Sequence, residues 1–333
     1  MKKIILTTLF AFAAFSVKSF AQSSLMATLS HGGEVKTFYG AGALIEAHEA
    51  AANGDVITLS AGTFTGTDIT KGITLRGSGM DTDSVTHREP TFISTDFKID
   101  VNDSISERLT IEGIRHNGKI SLKKAINALF LKCRFNEIGS YDPNLGADVL
   151  RDLNFIHCRI ADRFCFNEHS SASLTNCVVK ALNKNNSGQD QYFSLTNCVI
   201  LDGDMLNCSE YKNCIIVTLL DPQSSSIYYN NLYICQTISD LRDIKNTTNV
   251  LLLPNDERIT NLIGDYSDDK TYTLSEAVKS LIKGTDGKEV GIYGGNLPYL
   301  ATPSNPQITK FNVSPQSDAE GKLSVDIEVS VAR

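Results

Sequence analysis

The sequence has no tryptophan, few prolines and fewer basic than acidic residues. Among 333 residues there are 0 Trp and 8 Pro, and 31 Lys and Arg stand against 38 Asp and Glu, giving a net charge of −7. The scarcity of proline excludes collagen-like and proline-rich classes. A hydrophobic content of 41% excludes a disordered chain. The acidic balance, with no local basic stripe, argues against nucleic acid or an anionic membrane as a partner.

Residues 1–21 have the pattern of a secretory signal peptide. Two lysines precede an apolar stretch over 4–17, and Ser19 and Ala21 supply the small residues of a cleavage site before Gln22. The stretch is too short and interrupted for a transmembrane helix, and no later segment is suitable; a membrane anchor is the alternative interpretation. We expect an exported protein, periplasmic, on the cell surface or extracellular, whose mature charge is −10 after loss of three lysines (−7 − 3).

A six-fold repeat runs through the middle of the chain. Each unit has an apolar residue, two variable residues, a cysteine, one variable residue and a second apolar residue. Two units are nearly identical, SLTNCVV and SLTNCVI, and in three units asparagine directly precedes the cysteine: Asn176, Asn197 and Asn213. The cysteines lie about 20 residues apart on average, a period typical of solenoids. They are Cys133, Cys158, Cys177, Cys198, Cys214 and Cys235.

The asparagine predicts the geometry of one turn of the coil, or rung. Asparagine tolerates a left-handed backbone, so it can make a sharp bend between two strands. The cysteine and both apolar residues of the unit then point inward. A leucine-rich repeat has the same period but requires its asparagine elsewhere in the motif. We therefore predict a coil rather than a horseshoe.

The cysteines are predicted to stack as an inward ladder of thiols. Side chains that point the same way on stacked strands fit disulfide torsions badly, although disulfides remain the alternative in an exported protein. Buried thiols behave as small hydrophobic groups. Cys165 and Cys208 break the pattern and are the better disulfide candidates. The lack of a CxxC pair argues against zinc.

The whole pattern resembles a known family. The segments LIEAHEAAANGDVITLSAGTF, ITLRGSG, LTIEGI and the TNCVI units are similar to the secreted right-handed parallel β-helix proteins of the pectin-lyase-like superfamily. The resemblance implies an all-β protein, a right-handed parallel β-helix (solenoid) over 22–300, with a helix at 43–52 capping its N-terminal end. It leaves function open, because this fold hosts lyases, hydrolases, adhesins and non-enzymes.

The catalytic patterns implied by the resemblance are missing from the rungs. Lyases of this fold use calcium-binding carboxylates with an Arg or Lys base, and the hydrolases use clustered Asp with His and Arg-x-Lys. Calcium remains the one cofactor left open, because Asp265-x-Ser267-x-Asp269 faintly resembles a calcium loop without its glycine and terminal glutamate. No metal ligands and no catalytic residues are predicted.

Loops after the rungs place carboxylates beside basic side chains. A carboxylate near a base is the minimum requirement for acid–base catalysis, and it also suits recognition of a polar ligand. The alternative is that these side chains are ordinary solvent-exposed turn residues without a role in binding. The predicted substrate-binding residues are Asp162, Arg163, Glu168, His169, Asp202 and Asp204.

Three functions remain open at this point. The preferred one is a non-catalytic glycan-binding or cell-surface module with a polysaccharide or surface glycan as partner. The alternatives are a polysaccharide lyase or glycoside hydrolase with a diverged site, and a structural or adhesive scaffold. Tyrosines among the rungs supply flat faces for sugars, although a core position is expected for most of them. These tyrosines are Tyr192, Tyr211, Tyr228, Tyr229 and Tyr233.

The C-terminal part predicts several elements after the repeat. A short helix at 274–282 precedes a turn-rich closing segment at 284–295, a linker at 301–306 and a β-hairpin appendage at 307–333. Strict apolar–polar alternation over 323–331 predicts a strand with one buried face, paired with 308–313. Because two strands alone are not stable, we expect this hairpin to dock on the coil or on another chain.

Overall fold

The chain forms a right-handed parallel β-helix of about eight turns, as predicted. The predicted signal peptide and most of the predicted linker lie outside the described residues. The structure, a computed structural model, describes residues 25–82, 88–102, 106–140, 149–166, 170–184, 192–203, 209–217, 225–236, 248–302, 307–314, 316–317 and 320–330.

Most of the described residues belong to strands, and each rung contributes one strand to each of two long sheets. In chain order the strands are β1 (Met26–His31), β2 (Glu34–Tyr39), β3 (Val56–Leu59), β4 (Gly62–Phe64), β5 (Thr74–Arg76), β6 (Thr91–Ile93), β7 (Phe97–Asp100), β8 (Thr110–Glu112), β9 (Ile114–Ile126), β10 (Leu129–Leu131), β11 (Arg134–Gly139), β12 (Val149–Arg151), β13 (Leu153–Ile156), β14 (Arg159–Phe166), β15 (Ser171–Thr175), β16 (Val178–Lys184), β17 (Tyr192–Thr196), β18 (Val199–Gly203), β19 (Glu210–Lys212), β20 (Ile215–Val217), β21 (Ile227–Tyr229), β22 (Leu232–Ile234), β23 (Val250–Leu252), β24 (Gln307–Val313) and β25 (Val325–Ser330).

Parallel pairing between rungs stacks these strands. The first sheet has the order β2-β1-β3-β5-β8-β10-β13-β15-β17-β19-β21, and the second has the order β23-β22-β20-β18-β16-β14-β11-β9-β6-β4, with β7 and β12 beside β9. Bulges interrupt the register of the longer strands, between Phe135 and Glu137 in β11 and between Ile160 and Arg163 in β14. We call the part of the second sheet beyond these bulges the third face.

A helix and a hairpin close the N-terminal end. Helix α1 (Ala43–Ala50) contacts β1, β2 and β3 and buries Leu44 and Ala47, which confirms the predicted cap. The hairpin of β1 and β2 was not predicted, and β1 also pairs antiparallel with β3. Together they cover the edge of the first sheet, which would otherwise offer unpaired backbone groups.

The predicted left-handed bend is confirmed. Asn176, Asn197 and Asn213 have φ of 50°, 54° and 56°. Lys132 and His157 occupy the same corner in earlier rungs with φ of 52° and 54°, so the corner requires this conformation whatever its residue. Asparagine is the residue besides glycine that adopts it most readily.

The thiol ladder is confirmed for five of its six members. Cys158 shows the arrangement, because its Sγ donates to the Phe130 carbonyl at 3.3 Å. Burial raises the pKa of the Cys177 thiol well above its usual range. Cys165 is also buried, away from the ladder, and Cys208 lies outside the described residues. The confirmed members, each 0% exposed, are Cys133, Cys158, Cys177, Cys198 and Cys214.

The sixth member was predicted wrongly. Pairing of Ile215 with Leu232 places Asn231, and not Cys235, in the ladder position of the next rung. The Asn231 amide replaces the thiol: its Oδ1 accepts from the Cys214 amide at 2.8 Å, and its Nδ2 donates to the Tyr211 carbonyl at 2.8 Å. An amide can satisfy both neighbours, so the stacking continues without sulfur.

Aromatic side chains fill the interior beside the ladder. Phe130 stacks on Phe155 with ring centroids 4.5 Å apart, and Tyr211 stacks on Tyr228 at 5.2 Å. Each pair consists of residues in register on adjacent strands of the first sheet. Parallel pairing therefore generates the stacks directly, because identical positions of successive rungs point the same way.

Residues 256–300, which we call the strap, return along the outside of the coil. A 3-10 turn (Glu257–Ile259) and helix α2 (Glu276–Leu281) lie within it, and Ser275 caps α2 by accepting from Val278 N. The strap covers the outward side of the second sheet, in a hydrophobic cluster separate from the interior. The cluster includes Val178, Val199, Ile215 and Leu232 of the sheet and Ile259, Leu262, Leu274, Val278 and Ile292 of the strap.

The corner side chains hold the strap in place. Asn176 Nδ2 donates to the carbonyls of Ile292 at 2.7 Å and Gly294 at 2.9 Å. Asn213 Oδ1 accepts from Thr285 N at 2.9 Å. Asn176 and Asn213 thus have two roles, because they set the bend and bind the returning chain.

The predicted C-terminal hairpin is present. Strands β24 and β25 pair antiparallel, with Val313 opposite Val325. The apolar face of β25 is not covered in the part of the chain that the structure describes: Val325, Ile327 and Val329 are 51%, 50% and 56% exposed. Docking of this face on the coil or on another chain therefore stays a prediction. The helices of the described chain are too short and too polar to cross a membrane.

Candidate functional site

An open groove of about 480 Å³ runs over the outward side of the first sheet. We call it the serine groove. It differs from the outward side of the second sheet, which the strap covers. The residues that line it are Asp152, Leu153, Asn154, Ser171, Ala172, Ser173, Tyr192, Phe193, Ser194, Ser209, Glu210, Ser225 and Ile227.

Alternation along the strands explains the polar lining. In β15 the side chains of Ala172 and Leu174 are buried, so Ser171, Ser173 and Thr175 face outward. In register, Asn154, Ser173, Ser194, Glu210 and Ile227 form one column across five strands. Four strand spacings of about 4.8 Å make this column roughly 19 Å long.

Hydrogen bonds between rungs fix the polar groups at one end of the groove. Ser173 Oγ donates to Asn154 Oδ1 at 2.8 Å, and Asn154 Nδ2 donates to the Asp152 carbonyl at 2.7 Å. Ser171 Oγ accepts from Asp152 N at 2.8 Å. These bonds orient the side chains before any ligand arrives, which lowers the entropic cost of binding.

Two of the five tyrosines named from the sequence are exposed, and both lie on this face. Tyr192 is 60% exposed on the groove wall, and Tyr229 is 38% exposed in the last strand of the sheet. Tyr211, Tyr228 and Tyr233 are buried, which confirms the expected core position for most of the set. An exposed, flat ring beside hydroxyl groups is the arrangement that can cover the apolar face of a sugar.

The predicted substrate-binding residues lie elsewhere. Arg163 and Asp202 are on the third face. Asp162 lies in the bulge of β14, and its Oδ1 is 3.4 Å from Lys180 Nζ in an exposed ion pair. Arg163 and Asp202 are both in register with Ala181, so one strand separates them. Their role in binding stays a prediction. Glu168, His169 and Asp204 lie outside the described residues.

A second polar cluster was missed from the sequence. Arg115, Arg134 and Arg159 stack in register on the outward side of the second sheet, and we call them the arginine column. The strap supplies Asp268, whose carboxylate lies 2.8 Å from Arg115 Nη2 and 3.3 Å from Arg134 Nε. Arg159 Nη1 donates to the Asp268 carbonyl, and its guanidinium lies 5.2 Å from the Tyr299 ring centroid.

Burial and the neighbouring groups shift the pKa values of the carboxyl groups in this cluster. Burial alone would raise the pKa of Asp268, but the Tyr266 hydroxyl at 2.6 Å and the guanidinium groups of Arg134 and Arg115 lower it overall. Burial raises the pKa of the neighbouring Asp81 carboxyl. The arginine column therefore binds the strap through an ionised carboxylate, and the cluster serves as a latch between distant parts of the chain.

One signal in the sequence indicated that the second sheet is covered. In CVV, CVI and CII an apolar residue directly follows the inward cysteine, at a position that alternation turns outward. Consecutive apolar residues are typical of a strand buried on both faces. The arginine column gives no such signal, because arginine at an outward position is equally compatible with solvent.

Neither a search for metal ligands nor comparison with known proteins assigns a function to the chain. Within the described ranges, no group of three or more His, Cys, Asp or Glu side chains is placed to hold a metal ion. Searches of protein-family models, of curated proteins and of solved structures each gave no match to the chain. The surface of the coil is therefore the remaining evidence for function.

Proposed function

We propose that the protein is an exported, non-catalytic glycan-binding module whose ligand lies in the serine groove. The observation that carries the proposal is the groove itself, an open trough over five stacked strands that combines polar groups with apolar surface and has Tyr192 on its wall. Hydroxyl and amide groups complement sugar hydroxyls, and a tyrosine ring complements the apolar face of a sugar. A length of roughly 19 Å suits a linear chain of several rings.

The spacing of the carboxylates favours binding over hydrolysis. Asp152 and Glu210 are carboxylates that line the groove. Asp152 adjoins β13, and three strand spacings separate β13 from β19, about 14 Å in all. Glycosidases that act through a carboxylate pair hold the two groups about 5–9.5 Å apart. A lyase or hydrolase with a diverged site, and an adhesive scaffold, are the alternatives that the experiment must exclude.

Export and family are part of the same proposal. The lysine pair and apolar stretch of residues 1–21 support a signal peptide. The parallel coil and its capping helix support a relationship to the pectin-lyase-like β-helix proteins. Fractionation of cells that make the full chain should place the protein outside the cytoplasm, with a mature N-terminus at Gln22. A cytoplasmic protein with an intact N-terminus would contradict export.

A glycan array, combined with an assay of reducing-sugar and unsaturated-product release, tests the function. We expect binding without product release. Tyr192→Ala should weaken binding about tenfold, the 1.4 kcal/mol that one aromatic contact supplies at the upper end of its range. Tyr39→Ala is the matched control, because Tyr39 is 51% exposed on the N-terminal hairpin. Product release would identify an enzyme, and failure of every glycan to bind would favour a scaffold.

A further inference from the structure

The charged side chains that line the serine groove are all of one sign. They are Asp152 and Glu210, and both are acidic. Two basic residues are close in the chain but outside the lining: Arg151 precedes Asp152, and Lys212 follows Glu210 by two residues on β19. Lys212 instead borders a smaller groove beside the strap, which also contains the Asp286 carboxylate. Among the described residues, a ligand in the serine groove therefore meets two carboxylates and no basic lining residue.

Glu210 presents an unpaired carboxylate to this groove. Its side chain is half-buried, and within the described ranges it forms no ion pair and no hydrogen bond. In the outward column it stands between Ser194 on β17 and Ile227 on β21. An apolar neighbour lowers the local dielectric, and opposite charges attract each other more strongly where the dielectric is low. A cation that reaches Glu210 from the open groove gains this attraction.

Two neighbours of Glu210 complete a subsite for an ammonium group. Ser194 is one strand spacing of about 4.8 Å from Glu210, and its hydroxyl oxygen is an acceptor. Tyr192 precedes Ser194 by two residues on the same face of β17, about 7 Å away. An ammonium group has three donors and no acceptor, so carboxylate and hydroxyl oxygens suit it, and a tyrosine face attracts cations. We call Tyr192, Ser194 and Glu210 the acidic subsite.

We infer that the acidic subsite binds a free amino group, so that the ligand of the serine groove is a glycan of amino sugars rather than an acidic glycan. This inference rests on the proposed function and names its ligand class. An amino sugar combines an ammonium group for Glu210 with a hydroxyl for Ser194 and an apolar ring face for Tyr192. Asp152, near the other end of the groove, attracts a second amino group of the same chain, whereas both carboxylates repel an acidic sugar.

Calorimetry with one glycan backbone in three forms tests the inference. The forms carry N-acetylated amines, free amines or carboxylates at the same positions, and all are titrated at about pH 6, where amines are protonated and carboxylates are ionised. We expect the free-amine form to bind about fivefold more tightly than the acetylated form, the upper value for a partly exposed ion pair, and the carboxylated form to bind most weakly. Added salt should reduce the fivefold ratio, because it screens the charges.

Two variants with the same change in net charge separate the subsite from the general acidity of the chain. Glu210→Gln should reduce the ratio of free-amine to acetylated binding to below about twofold, because glutamine keeps the shape and removes the charge. Glu34→Gln is the matched control, because Glu34 is exposed on the N-terminal hairpin. It should keep the wild-type ratio.

Three outcomes would overturn the inference while the proposed function stands, because in each of them a glycan binds. The first is a ratio near one in the wild-type protein, and the second is tightest binding of the carboxylated form. The third is an equal effect of Glu210→Gln and Glu34→Gln, which would show that the acidic chain attracts any polycation. If none of these forms and no glycan of the array binds, the proposed function itself fails.

Discussion

Replacing Asn176 by glycine tests whether the repeat asparagines bind the strap as well as shape the corner. Asn176 is 1% exposed, and its Nδ2 donates to the carbonyls of Ile292 and Gly294. Ile292 O retains a second donor, Tyr299 N at 2.8 Å, whereas the Gly294 carbonyl depends on the asparagine for its side-chain hydrogen bond. Glycine adopts a φ of 50° without strain, so the substitution removes the hydrogen bonds and leaves the bend.

The magnitude follows from those two bonds. Losing the bond to Ile292 O costs about 0.5–1.5 kcal/mol, and leaving the buried Gly294 carbonyl unsatisfied costs about 1–3 kcal/mol. We expect Asn176→Gly to lower the free energy of unfolding by about 2–4 kcal/mol. Asn197→Gly makes the same change one rung away, where Oδ1 has no partner among the described residues. Its effect should stay within about 1 kcal/mol.

Urea unfolding measures both free energies, and hydrogen exchange reports the strap directly. Amides of residues 284–297 should exchange faster in Asn176→Gly than in Asn197→Gly, while amides of the interior strands exchange equally in both. Equal losses of stability in the two variants, or unchanged exchange in the strap, would refute the view that Asn176 binds the strap. The corner alone would then explain the repeat.

Three further predictions concern acid sensitivity, the latch and the ladder. Burial is the main cause, and the nearby Lys71 the second, that lowers the pKa of His48 from 6.5 to about 4. The folded state therefore favours neutral His48, and its full stability is present above pH 6.5. This stabilisation, up to about 3 kcal/mol, is lost between pH 6.5 and 4, and His48→Gln should flatten this part of a curve of unfolding free energy against pH. Asp268→Asn should cost about 2 kcal/mol at pH 7 in urea unfolding, because it leaves partly buried guanidinium groups without their carboxylate. Since the folded pKa of Asp268 is lowered, the cost should shrink below pH 4; a cost independent of pH would contradict the latch. Cys198→Ala should cost on the order of 1 kcal/mol and Cys198→Asp several times more, and a disulfide at Cys198 found by mass spectrometry would contradict the ladder.

The sequence predicts the interior of the coil because each rung repeats the same local requirement. A left-handed residue followed by a small inward residue is visible in SLTNCVV without knowledge of any long-range contact. The last rung was assigned wrongly for a chemical reason. Asn231 fills the ladder position by hydrogen bonding, whereas the cysteine pattern predicts Cys235, which is out of register with the ladder.

The outside of the coil is harder to predict, because alternation separates inward from outward but does not show what covers the outward side. Arg134 and Asp268 are 134 residues apart in the chain, and neither position has a local pattern that indicates the other. The latch forms only because the strap returns to the arginine column, and tertiary packing rather than local sequence sets the path of the strap. The N-terminal hairpin is hard to predict for a simpler reason, because its turn at Gly32 and Gly33 joins two strands of only six residues each.

Charged side chains on the outside of the coil do not by themselves indicate a binding site. On the third face, Lys119, Glu137 and Arg163 stand in register on adjacent strands and alternate in sign. Opposite charges on neighbouring strands stabilise the sheet by about 0.2–1 kcal/mol per pair, so a row of carboxylates beside bases arises from strand pairing alone. In the serine groove, the hydrogen bond from Ser173 to Asn154 gives part of the hydroxyl column the same kind of structural reason. The ring of Tyr192 is 60% exposed and has no such reason, so the tyrosine, rather than the hydroxyl column, is the feature that the proposed glycan ligand would explain.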